Sequence, residues 1–254
     1  MNRRSLIGKG LLLATHHALS GTLSAMSHVD FTIEVIASTV EECRLAAAAG
    51  ASRVELAVGL AHGGITPPLE MTTRVITDVK IPTRLMLREN IGFELNDNEE
   101  LRTLIEKAHQ LNPLPIDGIV FGYIKGGEPD VPALRAILAA APQQRFTFHN
   151  ALERCDDPLA AIEILKALPQ IDTLLVNGRG HSLEERAAVI QRYADSWQNT
   201  TRSLLVNGYT AEEAVALRRL CPFIREFHFG SQVRTPPLSY PQGHLDAKKS
   251  RSRL

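Results

Sequence analysis

From Asp30 onward the chain repeats one local pattern eight times: a short run rich in β-branched and apolar residues, followed by a longer segment with helical periodicity. The strand-like runs are FTIEVIAS (31–38), SRVELAV (52–58), PTRLMLR (82–88), DGIVFGYI (117–124), RFTFHNA (145–151), DTLLVNG (172–178), RSLLVNG (202–208) and REFHFGS (225–231). Between them lie amphipathic segments such as TVEECRLAAAAG, NEELRTLIEKAHQL, VPALRAILAAA, DPLAAIEILKAL, SLEERAAVIQRYA and TAEEAVALRRL, several opening on a Thr, Ser, Asp or Asn suited to an N-cap. Eight consecutive βα units without a Pro/Gly-rich break predict one (β/α)8 barrel of the TIM type rather than an open doubly wound sheet. The phrase LLVNG at 174–178 and again at 204–208 fits that repeat: a buried strand, an Asn at the barrel mouth, and a Gly that permits the turn.

The 254 residues carry no net formal charge and are 44% hydrophobic, enough for one sizeable core. No basic stripe with interleaved aromatics draws in nucleic acid, and no run approaches the eighteen apolar residues of a membrane span. No GxGxxG or GxxxxGK[ST] follows a strand, which removes the usual dinucleotide and P-loop readings. The expected partner is therefore a small molecule or a metal ion. Cys43, Cys155 and Cys221 are far apart and form no CxxC, so neither a disulfide framework nor a closed zinc site is indicated. Reduced thiols fit a cytoplasmic location. Residues 1–25 begin basic, include Arg3 and Arg4, turn apolar and end small; they read as an extension that is signal-like or lies ahead of an internal start at Met26. The barrel domain is expected over 26–240 and a flexible basic tail over 241–254.

In such a barrel the chemistry gathers at the C-terminal strand ends. Strand alternation turns Glu34, Glu55, Arg88, His149, Asn177, Asn207 and His228 inward, with Arg84 and Glu226 deeper. Buried carboxylates are costly alone, so Glu34, Glu55 and Glu226 are expected to pair with Arg84, Arg88 or another cation, to bind a metal, or to be protonated. Glu55, Arg88 and His149 suit an anionic or carbonyl substrate: the imidazole as acid/base, the carboxylate as its partner, the guanidinium as a clamp. Asn177 and Asn207 offer amide hydrogen bonds or cap the next helix. The loop GLAHGGITPP, with His62, Gly63, Gly64 and Thr66, can approach a ligand or simply turn the chain. After strands 7 and 8, Gly208, Thr210, Gly230 and Ser231 stand where barrels often hold phosphate.

The phrases EVIASTVEEC, ELAVGLAHGGITPP, LMLREN, GIVFGY, FTFHNALE and EFHFGSQVR, in this order, resemble the CutC family across nearly the whole span from Asp30 to about Thr235. Matching positions include Glu34, Glu55, Gly63, Gly64, Thr66, Pro67, Arg88, Gly122, Phe148, His149, Glu226 and His228. The resemblance implies a TIM-type barrel, a role in copper homeostasis and copper as the ion bound. The family's proposed copper ligands are cysteines of the first two strand motifs, and here those positions are Ile36 and Ala57. A cuprous ion prefers thiolate or thioether, so that site as proposed cannot form.

Two main readings follow. One is copper handling, implied by the resemblance. The other is an enzyme acting on a small anionic or carbonyl metabolite, with His149, Glu55 and Arg88 catalytic and Glu34, Asn177, Asn207, His228 and Ser231 around the substrate. A hard divalent metal held by Glu34, Glu55, His149 or His228 is a variant of the second. A non-catalytic scaffold is the third possibility. By analogy with other barrels, a homodimer is expected.

Overall fold

The computed structural model describes residues 31–197 and 201–233. Among them the strands β1 (Thr32–Ala37), β2 (Arg53–Leu56), β3 (Thr83–Met86), β4 (Gly118–Phe121), β5 (Phe146–Phe148), β6 (Ile171–Val176), β7 (Ser203–Asn207) and β8 (Glu226–Phe229) pair in parallel and close into a barrel, β8 returning to β1. Helices α1 (Val40–Ala48), α2 (Leu69–Asp78), α3 (Asn98–Leu111), α4 (Val131–Ala140), α5 (Pro158–Lys166), α6 (Leu183–Trp197) and α7 (Ala211–Leu220) supply the crossovers. A two-stranded antiparallel hairpin, Ile124–Lys125 with Glu128–Pro129, decorates the β4–α4 connection. The expected N-terminal extension, residues 26–30 and 234–240 of the expected barrel domain, and the basic tail lie outside the described residues.

Local chemistry sets the helix starts. Thr39, Asp97, Asp130 and Asp157 each accept a first-turn backbone N–H through the side chain, which satisfies donors that have no intrahelical partner. Thr210 closes a full capping box with Glu213 at the start of α7. Outward strand residues such as Ile33, Val35, Val54, Leu56 and Leu85 are buried beneath the helices and form the main apolar core. No helix is long and apolar enough to cross a membrane among the described residues.

The register orders the barrel interior. Glu34 is level with His228 on one side and Arg53 on the other; Glu55 aligns with Arg84, and Thr147 with Thr173. With the strand tilt of a closed eight-stranded barrel, inward residues stack in layers of four from alternate strands. Arg53, Gly118, Thr173 and Glu226 form the lowest of these layers. Above it come Glu34, Arg84, Thr147 and Leu205; then Glu55, Val120, Leu175 and His228; then Ile36, Met86, His149 and Asn207 at the mouth. The lower half is thus charged, which is unusual for a packed barrel interior and demands pairing.

Some expected strands are shorter than their sequence runs. The run 145–151 yields only Phe146–Phe148, because His149 caps the 3-10 helix Asn150–Arg154 by accepting the Ala151 N–H. The strand ends early, and the His side chain is delivered to the mouth.

Candidate active site in the barrel interior and mouth

Pairing in the lower interior is nearly complete. Arg53 donates from Nε to Glu34 Oε2 at 2.5 Å and from Nη2 to Glu226 Oε2 at 3.0 Å. Arg84 donates from Nε to Asp117 Oδ2 at 2.9 Å, and from Nη1 and Nη2 to the two Asp172 oxygens at 3.0 Å each, a bidentate fork. Thr147 Oγ1 and Thr173 Oγ1 take further Arg84 bonds at 2.5 and 3.2 Å. Arg145, at the rim, completes the set with a 2.5 Å bond to Asp117 Oδ1. The cation that Glu34 meets is thus Arg53, one the expected pairing left unnamed. The signal was available: Arg53 has the parity of Glu55 on β2, so it had to face inward.

His228 stands between two carboxylates. Its Nδ1 lies 2.7 Å from Glu34 Oε1 and 3.5 Å from Glu55 Oε2. The three environments differ. Burial opposes ionisation of Glu34, yet Arg53 and the His228 bond outweigh it and hold the carboxyl at about 2. Glu55 is equally buried but lacks a guanidinium on its oxygens, so burial pushes its pKa up to about 7. Burial lowers the His228 pKa, but the hydrogen bond to Glu34 and the Glu55 and Glu34 charges raise it overall.

At the mouth, Arg88 and His149 share Phe93. The Arg88 guanidinium lies over the Phe93 ring at 5.1 Å, and the same ring meets His149 edge-on at 5.5 Å. Arg88 is 5% exposed. Its Nη1 donates to Gly63 O at 3.2 Å, and its Nη2 to Gly92 O at 3.0 Å and to Ile91 O. Thr66 Oγ1 accepts the Arg88 N–H at 2.9 Å and touches Glu89 Oε1 at 2.7 Å. The GLAHGGITPP loop thus cradles the strand-3 arginine rather than standing open. Both Gly63 and Gly64 have a φ of 84°, in the region that favours glycine.

His149 is buried, and burial followed by the Arg88 charge pushes its pKa down to about 3. The expected proton exchange at cellular pH does not fit this environment, since the imidazole stays neutral. Because Nδ1 accepts the Ala151 N–H at 3.2 Å, the ring proton sits on Nε2. Gly122 leaves room for the ring, which a Cβ at that position would overlap.

The asparagines divide. Asn177 is structural: its Nδ2 donates to Asn207 O at 3.2 Å, its N–H goes to Glu153 Oε2 at 2.8 Å, and its carbonyl accepts the Tyr209 hydroxyl at 2.8 Å. Neither asparagine caps a helix. Asn207 donates from Nδ2 to Asn150 Oδ1 at 3.3 Å, and its Oδ1 has no partner. Thr210 is consumed by its capping box, and Ser231 is exposed at the start of a short 3-10 helix. Glu153, in the 3-10 helix after β5 and so outside the reach of strand parity, accepts both the Asn177 and Gly178 N–H at 2.8 Å and fills the amide nest after β6.

Among the described residues six buried side-chain polar atoms have no hydrogen-bond partner; Thr72 Oγ1 and Arg218 Nε lie on helices, and the other four, Glu55 Oε2, Arg88 Nε, His149 Nε2 and Asn207 Oδ1, belong to inward positions of the upper barrel. A cavity of about 250 Å3 lies elsewhere, at the N-terminal end, where Thr83, Ile116 and Asp117 contribute to its walls.

The donors do not suit a cuprous ion. Ile36 and Ala57 pack with Met86 and Val120 in an apolar cluster where the resemblance places thiols. None of the three cysteines forms a disulfide, and all are buried. Burial pushes the Cys155 thiol up to about 11 and raises that of Cys221, which keeps both protonated and poor as ligands.

The CutC family model matches residues 31–232. A CutC family protein of Bacteroides thetaiotaomicron is 32% identical over 207 residues, covering 80% of this chain and 81% of its own. One from Pasteurella multocida is 29% identical over 186 residues, covering 73% and 76%. The crystal structure of CutC from Streptococcus agalactiae, described there in terms of copper homeostasis, superposes with a TM-score of 0.69 at 24% identity and covers 80% of this chain and 99% of that one. Barrel, ordered motifs and relatives agree: this chain belongs to the CutC family.

Proposed function

We propose that this CutC-family barrel binds a small oxygen-bearing metabolite, anionic or with a carbonyl group, at its mouth, and that any part it has in copper homeostasis does not run through a thiolate copper site of its own. The observation that carries the reading is the set of partnerless atoms on Arg88, His149, Asn207 and Glu55. A buried polar atom left without a partner costs about 1–3 kcal/mol, so a cluster of them on one face of a barrel is a strong pointer to a ligand. Two are donors, the Arg88 Nε–H and the His149 Nε2–H, which suit carbonyl or carboxylate oxygens. Asn207 Oδ1 accepts, which suits a hydroxyl.

Charge points the same way. Arg88 is a buried cation held by carbonyls, with no ion-pair partner among the described residues. An anionic ligand would supply the missing charge. In this role His149 acts as a neutral hydrogen-bond donor to a substrate oxygen, and Glu55, one layer below, is the group whose proton affinity lies near neutrality. If the bound metabolite is turned over, Glu55 is the acid/base and His149 the polarising group.

Calorimetric titration of the untagged full chain with pyruvate, 2-oxoglutarate and malate tests this. The expected result is saturable one-to-one binding of at least one acid, weakened by about tenfold or more in His149→Phe, the loss of one hydrogen bond to a charged group. Absence of binding by all three, or equal binding in the variant, contradicts it.

A further inference from the structure

We infer that Glu34, Glu55 and His228 form a binding site for a divalent metal ion of borderline hardness, zinc before others, in the barrel interior beneath the mouth. The site shares Glu55 with the metabolite reading but not Arg88, His149 or Asn207, and it rests on the separate grouping of Glu34, Glu55 and His228; the zinc titration below uses no metabolite, so either reading can fail while the other stands. One ligand atom from each of the three residues lies within 4.8 Å of the others, and all three residues are buried. Zinc bound at about 2.1 Å in tetrahedral geometry holds its ligand atoms about 3.4 Å apart. The separations from His228 Nδ1, 2.7 Å to Glu34 and 3.5 Å to Glu55, bracket that value, so small carboxylate rotations suffice.

Two further observations point to an ion. Glu55 is 1% exposed, and its Oε2, the oxygen facing His228, has no hydrogen-bond partner. A carboxylate oxygen in that position is an unused ligand. With His228 neutral and every carboxylate ionised, the state in which the three groups would hold an ion, the surrounding network sets five carboxylates against three guanidiniums, a surplus of two negative charges. One dication neutralises it.

The supporting shell is in place. Arg53 holds the second oxygen of Glu34 at 2.5 Å and so fixes the direction in which Oε1 points, as outer partners do in metal sites. Two carboxylate oxygens and one imidazole select zinc, manganese or ferrous iron over a cuprous ion, which would want sulfur. Three protein ligands leave a fourth position open, as in zinc sites that bind water or substrate.

The test is titration of the untagged full chain, stripped with EDTA, with zinc chloride, followed by calorimetry and thermal unfolding. One equivalent is expected to bind, and the unfolding temperature is expected to rise with free zinc because only the folded barrel offers the site. Glu55→Gln and His228→Gln, checked for native circular dichroism, are expected to weaken binding by at least about 100-fold, the upper range for loss of an outer-shell partner. Replacing His109, on the exposed face of α3, is expected to change nothing. X-ray absorption of the zinc-loaded wild type needs no variant and is expected to show only nitrogen and oxygen neighbours. No binding at one equivalent, unchanged affinity in both folded variants, or sulfur in the first shell overturns the site; the surplus charge is then met by protons.

Discussion

His149 and Ala151 are joined by a hydrogen bond in which the imidazole Nδ1 accepts the backbone N–H at 3.2 Å. That bond ends β5, starts the following 3-10 helix and fixes the tautomer, so the ring presents Nε2–H to the barrel mouth. One contact therefore links chain direction to the chemistry available at the site.

The first expectation concerns pH. In the unfolded chain His149 takes up a proton near 6.5, whereas in the fold it resists until about 3. Between those values the unfolded state binds more protons, so the His149 contribution to stability rises with pH and is lost as pH falls from about 6.5 toward about 3. In His149→Gln that contribution is absent. The gap in urea midpoint between wild type and variant should therefore shrink or reverse on acidification through this window; a constant gap would mean that the ring is not held neutral.

Arg84 is the hub of the lower interior. Removing it takes from Asp172 its bidentate fork and from Asp117 one of its cations, leaving Arg145 beside both carboxylates, each 15–16% exposed at the side chain. Breaking a buried pair costs about 3–5 kcal/mol, and Arg84→Met is expected to fall in that range by urea unfolding. A cost below about 1 kcal/mol, typical of an exposed pair, would show that solvent screens the network.

Glu153 offers a different test. Its two carboxylate oxygens accept two consecutive N–H groups after β6. Glu153→Gln puts an amide donor against one of those donors, and the expected loss is about 1–3 kcal/mol, the cost of a buried unsatisfied group. Amide exchange at Asn177 and Gly178 should accelerate with it. Unchanged exchange would place the nest's stability in the backbone alone.

Ile36 and Ala57 sit in one apolar cluster, on neighbouring strands. Substituting both, Ile36→Cys with Ala57→Cys, should create cuprous-ion binding measurable by competition with a chromogenic chelator, while the wild type shows none at one equivalent through sulfur. Tight uptake by the wild type, with sulfur neighbours in X-ray absorption, would refute the thiol-free account.

The barrel was legible because eight period-2 and period-3.6 segments alternate without interruption, and β-strand parity alone turned Glu34, Glu55, Arg88, His149 and His228 inward. What stayed hidden was the pairing. Partners such as Arg53 with Glu34 are nineteen residues apart, and Arg84 with Asp172 eighty-eight, set by barrel register rather than by local pattern. Electrostatic roles were hidden for the same reason. His149 reads as a proton exchanger in sequence; the neutral state follows from complete burial beside Arg88, which depends on the Gly63–Gly64 loop and Phe93 folding over it. Nothing in the local sequence separates Asn177, bound at every turn, from Asn207, whose carbonyl is left over.

The most direct test of the mouth as a ligand site is nitrogen NMR of histidine-labelled protein at pH 7, with His149 assigned by substitution, before and after addition of saturating pyruvate, 2-oxoglutarate or malate. The account expects a neutral ring with the proton on Nε2, and a shift of that resonance with at least one acid as its proton finds an acceptor. A charged ring, a proton on Nδ1, or an Nε2–H signal unmoved by all three acids would contradict it.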